Sequence, residues 1–196
     1  IWDRINISSS RANQHESLMA LIETNVFEGV KVLEKTIFYS DLGYFSTIFS
    51  AENLNINFVQ DSVSKSMHVG TIRGMHFQKG KNAQAKLINV IEGSILDIFV
   101  DLRETSSTYL SYGSILLDAA HGKSLFIPRG FAHGFITLKE NSIISYKLDN
   151  FYNPESEETL LWNDPDIGII WPKMDSYKLS QKDQEGKNLK QILSQK

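Results

Sequence analysis

Two short segments gather side chains able to move protons. Ile72-Arg73-Gly74-Met75-His76-Phe77-Gln78 and Ile127-Pro128-Arg129-Gly130-Phe131-Ala132-His133-Gly134-Phe135 each place one of the chain's five histidines among apolar neighbours. No cysteine occurs in the 196 residues, which excludes thiolate catalysis, disulfides and Cys-based zinc sites. The Gly-rich phosphate-loop pattern G-x-x-x-x-G-K-S does not occur, so P-loop phosphoryl transfer drops out. Acid–base chemistry by imidazole remains, with a reference pKa of ~6.5 that suits proton abstraction near neutral pH.

Strands must position these segments. From Gly29 to about Leu148 the chain runs in short stretches rich in Ile, Val and Phe, separated by Gly, Asn, Asp and Ser, which is the pattern of many short strands. Expected strands are Val30–Phe38, Ile56–Gln60, Val69–His76, Ser114–Leu117, Ser124–Ile127, Gly134–Leu138 and Ser142–Leu148. Ala85–Leu102 reads as a hairpin turning at Glu92-Gly93, with Leu96, Ile98, Val100 and Leu102 on one dry face. On that reading Asp97 and Asp101 fall on the exposed face or in turns, and His15, His68 and His121 are surface residues. Helical periodicity is almost absent, so an all-β sandwich or barrel is favoured over any βαβ fold. A helical turn is expected at Leu189–Leu193, and residues 1–20 read as a polar extension outside the core.

Composition fits one compact domain, with 41% hydrophobic and 22% charged residues. A net charge of −3 argues against a nucleic-acid or anionic-membrane binder, which needs clustered positive charge. No apolar run approaches the roughly 20 residues of a membrane span. Ile1–Ser10 lacks the layout of a signal peptide, and the cytosol is the expected compartment.

Gly122, Pro128, Gly130 and His133 resemble the second motif of the cupin barrels, G-x5-P-x-G-x2-H. Where metal-binding cupins carry His-x-His, this chain reads His76-Phe77-Gln78. One histidine from each segment falls short of a usual transition-metal set, so no metal is expected.

The resemblance then becomes specific. Phe58-Val59-Gln60-Asp61, Ile72 to Gln78, Gln84-Ala85-Lys86-Leu87, Gly130 to Phe135, Tyr146-Lys147, Trp162-Asn163-Asp164-Pro165 and Leu179-Ser180-Gln181-Lys182-Asp183 occur in this order. Together they resemble the dTDP-4-dehydrorhamnose 3,5-epimerase family over about residues 21–190. The resemblance implies an all-β fold, a cupin-type antiparallel β-barrel or jelly roll with short peripheral helices. It spans residues 21–176, and the tail 177–196 contributes Asp183 to the site. It also implies a homodimer with an N-terminal strand crossing to the partner sheet, and no cofactor.

The implied substrate is a nucleotide-diphosphate 4-keto sugar. Its C4 ketone acidifies both neighbouring carbons, so C3 and C5 can each lose a proton from one face and regain it on the other. By resemblance His76 is the base and Asp183 fixes its tautomer, Lys86 stabilises the developing C4 oxyanion, and Tyr146 is the acid on the opposite face. Arg73 is implied to meet the diphosphate, and Gln60, Phe45, His133 and Tyr152 to line the sugar and nucleotide sites. An independent sign supports Tyr146: Ile144, Tyr146 and Leu148 alternate onto one strand face, which would turn the phenol inward.

Departures fall on the binding side. The family pattern Asp-Arg-Gly-x-Phe-x-Glu reads here Asp41-Leu42-Gly43-Tyr44-Phe45-Ser46-Thr47, and Ser62 replaces a customary Asn. The reaction type is therefore better supported than the identity of the base or sugar. A single-carbon epimerase, a non-catalytic sugar-nucleotide binder and a metal-dependent cupin stand as the alternatives.

Overall fold

A computed structural model describes residues 19–23, 27–52 and 54–194. Its strands are β1 (Met19–Glu23), β2 (Lys31–Lys35), β3 (Ile37–Ser40), β4 (Gly43–Ser46), β5 (Gln60–Ser66), β6 (Ile72–Gln78), β7 (Lys86–Glu92), β8 (Ser94–Asp101), β9 (Tyr112–Asp118), β10 (Lys123–Ile127), β11 (Phe131–Thr137), β12 (Ser142–Leu148) and β13 (Glu157–Thr159). Two short helices follow, α1 (Gln181–Gln184) and α2 (Leu189–Leu193). A six-stranded sheet runs β1-β2-β10-β7-β12-β5 and a five-stranded sheet runs β13-β6-β11-β8-β9, while β3 and β4 pair only with each other. All strand pairs are antiparallel. The architecture is the all-β cupin-type jelly roll expected from the sequence.

The two sheets close on a core that draws on both, with Val32, Ile88, Leu125 and Ile144 from one and Ile95, Phe99, Leu117 and Phe135 from the other. A second apolar layer lies on the outer face of the five-stranded sheet. There Met75, Ile98, Val100 and Ala132 meet Leu160, Ile167, Leu189 and Ile192 of the C-terminal segment. β8 is therefore covered on both faces, which overturns the reading of Ala85–Leu102. The segment is no hairpin: β7 pairs with β10 and β12, and β8 with β11 and β9. The chain turns between sheets at Gly93, whose φ of +84° and approach to Ser142 leave no room for a Cβ. Asp97 and Asp101, expected on an exposed face, are both 0% exposed. Asp101 is satisfied locally by Arg103, Ser106 and Thr108.

Other boundaries differ for readable reasons. The expected strand Ile56–Gln60 gives way to β5, which starts at Gln60. Ile56 and Phe58 are apolar because they pack on Leu33, Leu87 and Phe126, whereas β5 looks polar because it is a sheet edge. Val30–Phe38 divides at Thr36 into β2 and β3. The helical turn at Leu189–Leu193 is present, capped reciprocally by Asn188 and Gln191. Of the N-terminal extension, Met19 and Ala20 begin β1 beside β2 of the same chain, and His15 lies outside the described residues. No helix among the described residues is long and apolar enough to cross a membrane.

Candidate active site

The barrel opens into a cavity of about 220 Å³ lined by Ser64, Arg73, His76, Lys86, His133, Phe135 and Tyr146. β6 supplies Arg73 and His76, β11 supplies His133, β7 supplies Lys86 and β12 supplies Tyr146. Close approach of β6 and β11 draws the first three together. A Cβ on Gly74 would lie 2.6 Å from Gly134 Cα and 2.7 Å from His133 O, so only glycine permits this spacing.

Asp183 stands behind His76 and is 3% exposed. His76 Nε2 lies 2.6 Å from Asp183 Oδ1. The Gly74 N–H also donates to Oδ1 (3.3 Å), and the Ser180 hydroxyl donates to Oδ2 (2.7 Å). Burial alone would raise this carboxyl, but the bonds from His76, Ser180 and Gly74 prevail and hold it below its ordinary value. An ionised acceptor draws the imidazole proton to Nε2, which leaves Nδ1 as the basic nitrogen.

Asp183 reaches this place because the tail is pinned on both sides of α1. Lys178 N donates to Gly70 O and Ile72 N to Lys178 O, each at 2.9 Å. Further on, Lys187 N donates to Thr159 O and Leu161 N to Lys187 O, each at 2.8 Å. Behind these, buried Asp164 accepts from Leu189 N at 2.8 Å and anchors α2.

Electrostatics divide the remaining groups. Burial pushes Lys86 down to about 8, against the pull of Asp97 and Glu157. Its Nζ donates to His76 O at 3.2 Å. Burial raises Tyr146 to about 12, and its hydroxyl lies 2.7 Å from Ser64 Oγ. The phenol is thus a proton-bearing group across the working pH range. His133, 4% exposed, bonds Asp97 Oδ2 through Nε2 at 2.9 Å. Burial raises Asp97 and lowers His133, in each case against the attraction of the other. Among the described residues Asp97 Oδ1 has no hydrogen-bond partner.

Six of the nine expected residues therefore converge: His76, Asp183, Lys86, Tyr146, Arg73 and His133. Two of Arg73's donors are held by Ser66 Oγ (3.0 Å) and Lys65 O (3.2 Å). Gln60 and Tyr152 meet each other, Tyr152 N donating to Gln60 Oε1 at 3.0 Å. Phe45 is not brought to the cavity. It lies exposed on β4, its ring 6.3 Å from that of Phe38. Leu42 is fully exposed at the tip of the same hairpin, and Ser62 accepts from Gln60 Nε2 at 3.1 Å.

Sequence reasoning missed Asp97, Ser64 and Glu157. Alternation placed Asp97 outside because the second apolar layer was invisible, and nothing in Glu155-Ser156-Glu157-Glu158 distinguishes one carboxylate. Glu157 accepts from Tyr152 OH (2.8 Å) and pairs with Lys182 Nζ (2.6 Å). A larger groove of about 520 Å³ runs beside β13 and α1. Most of its charges pair, Glu158 with Lys79 and Lys187 and Glu157 with Lys182, and the groups able to move a proton gather in the smaller cavity. Among the described residues no three metal-ligating side chains converge.

A base held by a buried carboxylate, a desolvated ammonium and a protonated phenol can together remove and return a proton beside a carbonyl. Fold and site thus define an isomerase of the cupin-type epimerase class. The chain belongs to the dTDP-4-dehydrorhamnose 3,5-epimerase family, whose sequence profile matches residues 24–191. It is 39% identical to the dTDP-4-dehydrorhamnose 3,5-epimerase of Salmonella typhimurium over 182 residues, covering 90% of this chain and 98% of that one. A crystal structure of the Bacillus anthracis dTDP-4-dehydrorhamnose 3,5-epimerase with TDP and PPi bound superposes with a TM-score of 0.83 at 43% identity, covering 87% and 99% of the two chains. The Legionella pneumophila dTDP-6-deoxy-D-glucose-3,5-epimerase, in complex with dTDP-4-keto-L-rhamnose, superposes with a TM-score of 0.84 at 34% identity, covering 90% and 96%.

Proposed function

We propose that this epimerase inverts C3 and C5 of a dTDP-linked 4-keto-6-deoxy sugar, with His76 as base and Tyr146 as acid. The observation that carries the assignment is the 2.6 Å His76–Asp183 bond at the wall of a cavity that also presents Lys86 and Tyr146. His76 Nδ1 takes the proton from the carbon next to the C4 carbonyl, and the C–H electron pair moves into an enolate. The Lys86 ammonium holds the enolate oxygen. The Tyr146 hydroxyl then gives its proton to the opposite face, the carbonyl re-forms, and exchange with solvent resets both groups. A second round at the other neighbouring carbon completes the inversion. Arg73 meets the diphosphate through its forked donors, His133 faces the sugar, and Gln60 and Tyr152 line the nucleotide.

Phe45 is assigned to the nucleotide of a second copy in a homodimer. Support comes from the exposed aromatic rows of β3 and β4, where Phe38, Tyr39, Tyr44 and Phe45 are all open to solvent, a surface a partner would cover. The cytosol is the assigned compartment, in keeping with the absence of cysteine.

Incubation with dTDP-4-keto-6-deoxyglucose, with products resolved by NMR, tests the substrate. Inversion at both carbons supports the reading, whereas unchanged sugar with dTDP and turnover with another nucleotide would replace it. Light scattering tests the assembly: a mass twice that of the 22.3 kDa chain supports the dimer, and a monomer at micromolar concentration contradicts it.

A further inference from the structure

Gln78 ends the Ile72–Gln78 motif without a part in the chemistry, yet its side chain is 6% exposed and every amide atom is engaged. Nε2 donates to Asn82 O (2.6 Å) and Phe151 O (3.2 Å), and Oε1 accepts from Asn153 N (2.6 Å). Gln60 takes the residue in between, through Tyr152 N. Three successive residues, 151–153, are thus held by two side-chain amides from strands in different sheets. A loop outside any ladder must satisfy its backbone in some such way. Its rings remain open to solvent, Phe151 at 66% and Tyr152 at 53%, and the Tyr152 hydroxyl is tied to Glu157.

We propose that Gln78 is a positioning residue for substrate recognition: by fixing the Phe151–Asn153 backbone it holds the Tyr152 ring as a preformed wall for a planar nucleobase. This rests on the reading that Tyr152 lines the nucleotide site. Aromatic faces stack any base, and stacking gains when the ring is fixed in advance. Successive side chains alternate along a strand, so His76 and Gln78 lie on one face of β6. A single strand thereby sets the base for the chemistry and the loop for binding.

Without the amide, Phe151 O and Asn153 N lose their partners and the loop must be ordered by the ligand. That cost falls on binding and not on proton transfer. Gln78→Leu is expected to raise KM and weaken dTDP binding about tenfold, with kcat within about twofold and binding of inorganic pyrophosphate unchanged. In a Tyr152→Ala background the same substitution is expected to add little, because both changes act on one wall. Gln78→Glu keeps the acceptor for Asn153 N and is expected to fall between. It stands in if the leucine variant does not fold. Equal weakening of dTDP and pyrophosphate, a loss confined to kcat, or full additivity with Tyr152→Ala would overturn the proposal. Unchanged KM and dTDP affinity in Tyr152→Ala alone would instead overturn the reading of Tyr152.

Discussion

Lys86 shows how one residue can be needed in the form its surroundings disfavour. Burial brings it down to about 8 from an ordinary 10.5, yet the role proposed for it at the enolate oxygen requires the ammonium. Between those two values the unfolded chain holds a proton that the folded chain has released, so Lys86 makes stability rise with pH there. Activity must run the other way. We expect kcat/KM to fall as pH rises through about 8, and Lys86→Arg to remove that limb while lowering the rate, because a guanidinium stays charged. A pH profile of both proteins checks this, and a limb that stays in place in the arginine variant contradicts it. Tyr146 allows a second test. Tyr146→Phe removes the proposed acid but leaves His76, so carbon-bound hydrogen should still exchange with solvent while inverted product drops by roughly 10²–10⁴-fold. NMR reads both quantities in one sample.

At the level of elements, the C-terminal segment both covers a sheet and brings the Asp183 carboxylate to His76. Ile192 belongs to the layer over β6, β8 and β11, and Ile192→Ala is expected to cost roughly 2–4 kcal/mol. Part of that loss should appear as a lower kcat even where the protein is fully folded, since α1 is pinned between backbone bonds that the layer supports. Chemical denaturation and kcat on the folded protein measure the two effects separately. The same layer explains what the sequence could and could not reveal. β10, β12 and α2 were legible because their apolar residues and caps act locally. The Ala85–Leu102 segment misled because alternation around Asp97 and Asp101 looks identical whether the other face meets water or a distant part of the chain. His76, Lys86, Tyr146 and Asp183 were legible through collinear motifs, although nothing local in the polar tail marks Asp183. Its partner lies 107 positions away, a separation no periodicity can register.

Across the whole molecule, two sheets and a returning tail bring together the groups proposed to transfer protons from segments spread between Ser64 and Asp183. The barrel buries Lys86 and Tyr146, which lowers the lysine and keeps the phenol protonated, and the tail supplies the Asp183 carboxylate bonded to His76. The residues proposed to bind the nucleotide are more dispersed, with Gln60 and Tyr152 beside the loop that Gln78 holds and Phe45 on the β3–β4 hairpin. Leu42 and Thr47 lie on or beside that hairpin, so a change of nucleotide preference would leave the site of chemistry intact. The central claim is that His76, steered by Asp183, removes hydrogen from the carbon beside the ketone. Deuterium uptake at C3 and C5 of the 4-keto sugar in heavy water measures this directly. Wild type should incorporate label, His76→Ala almost none, and Asp183→Asn a trace at a rate lower by roughly 10²–10⁴-fold. Uptake in His76→Ala at the wild-type rate would contradict the account.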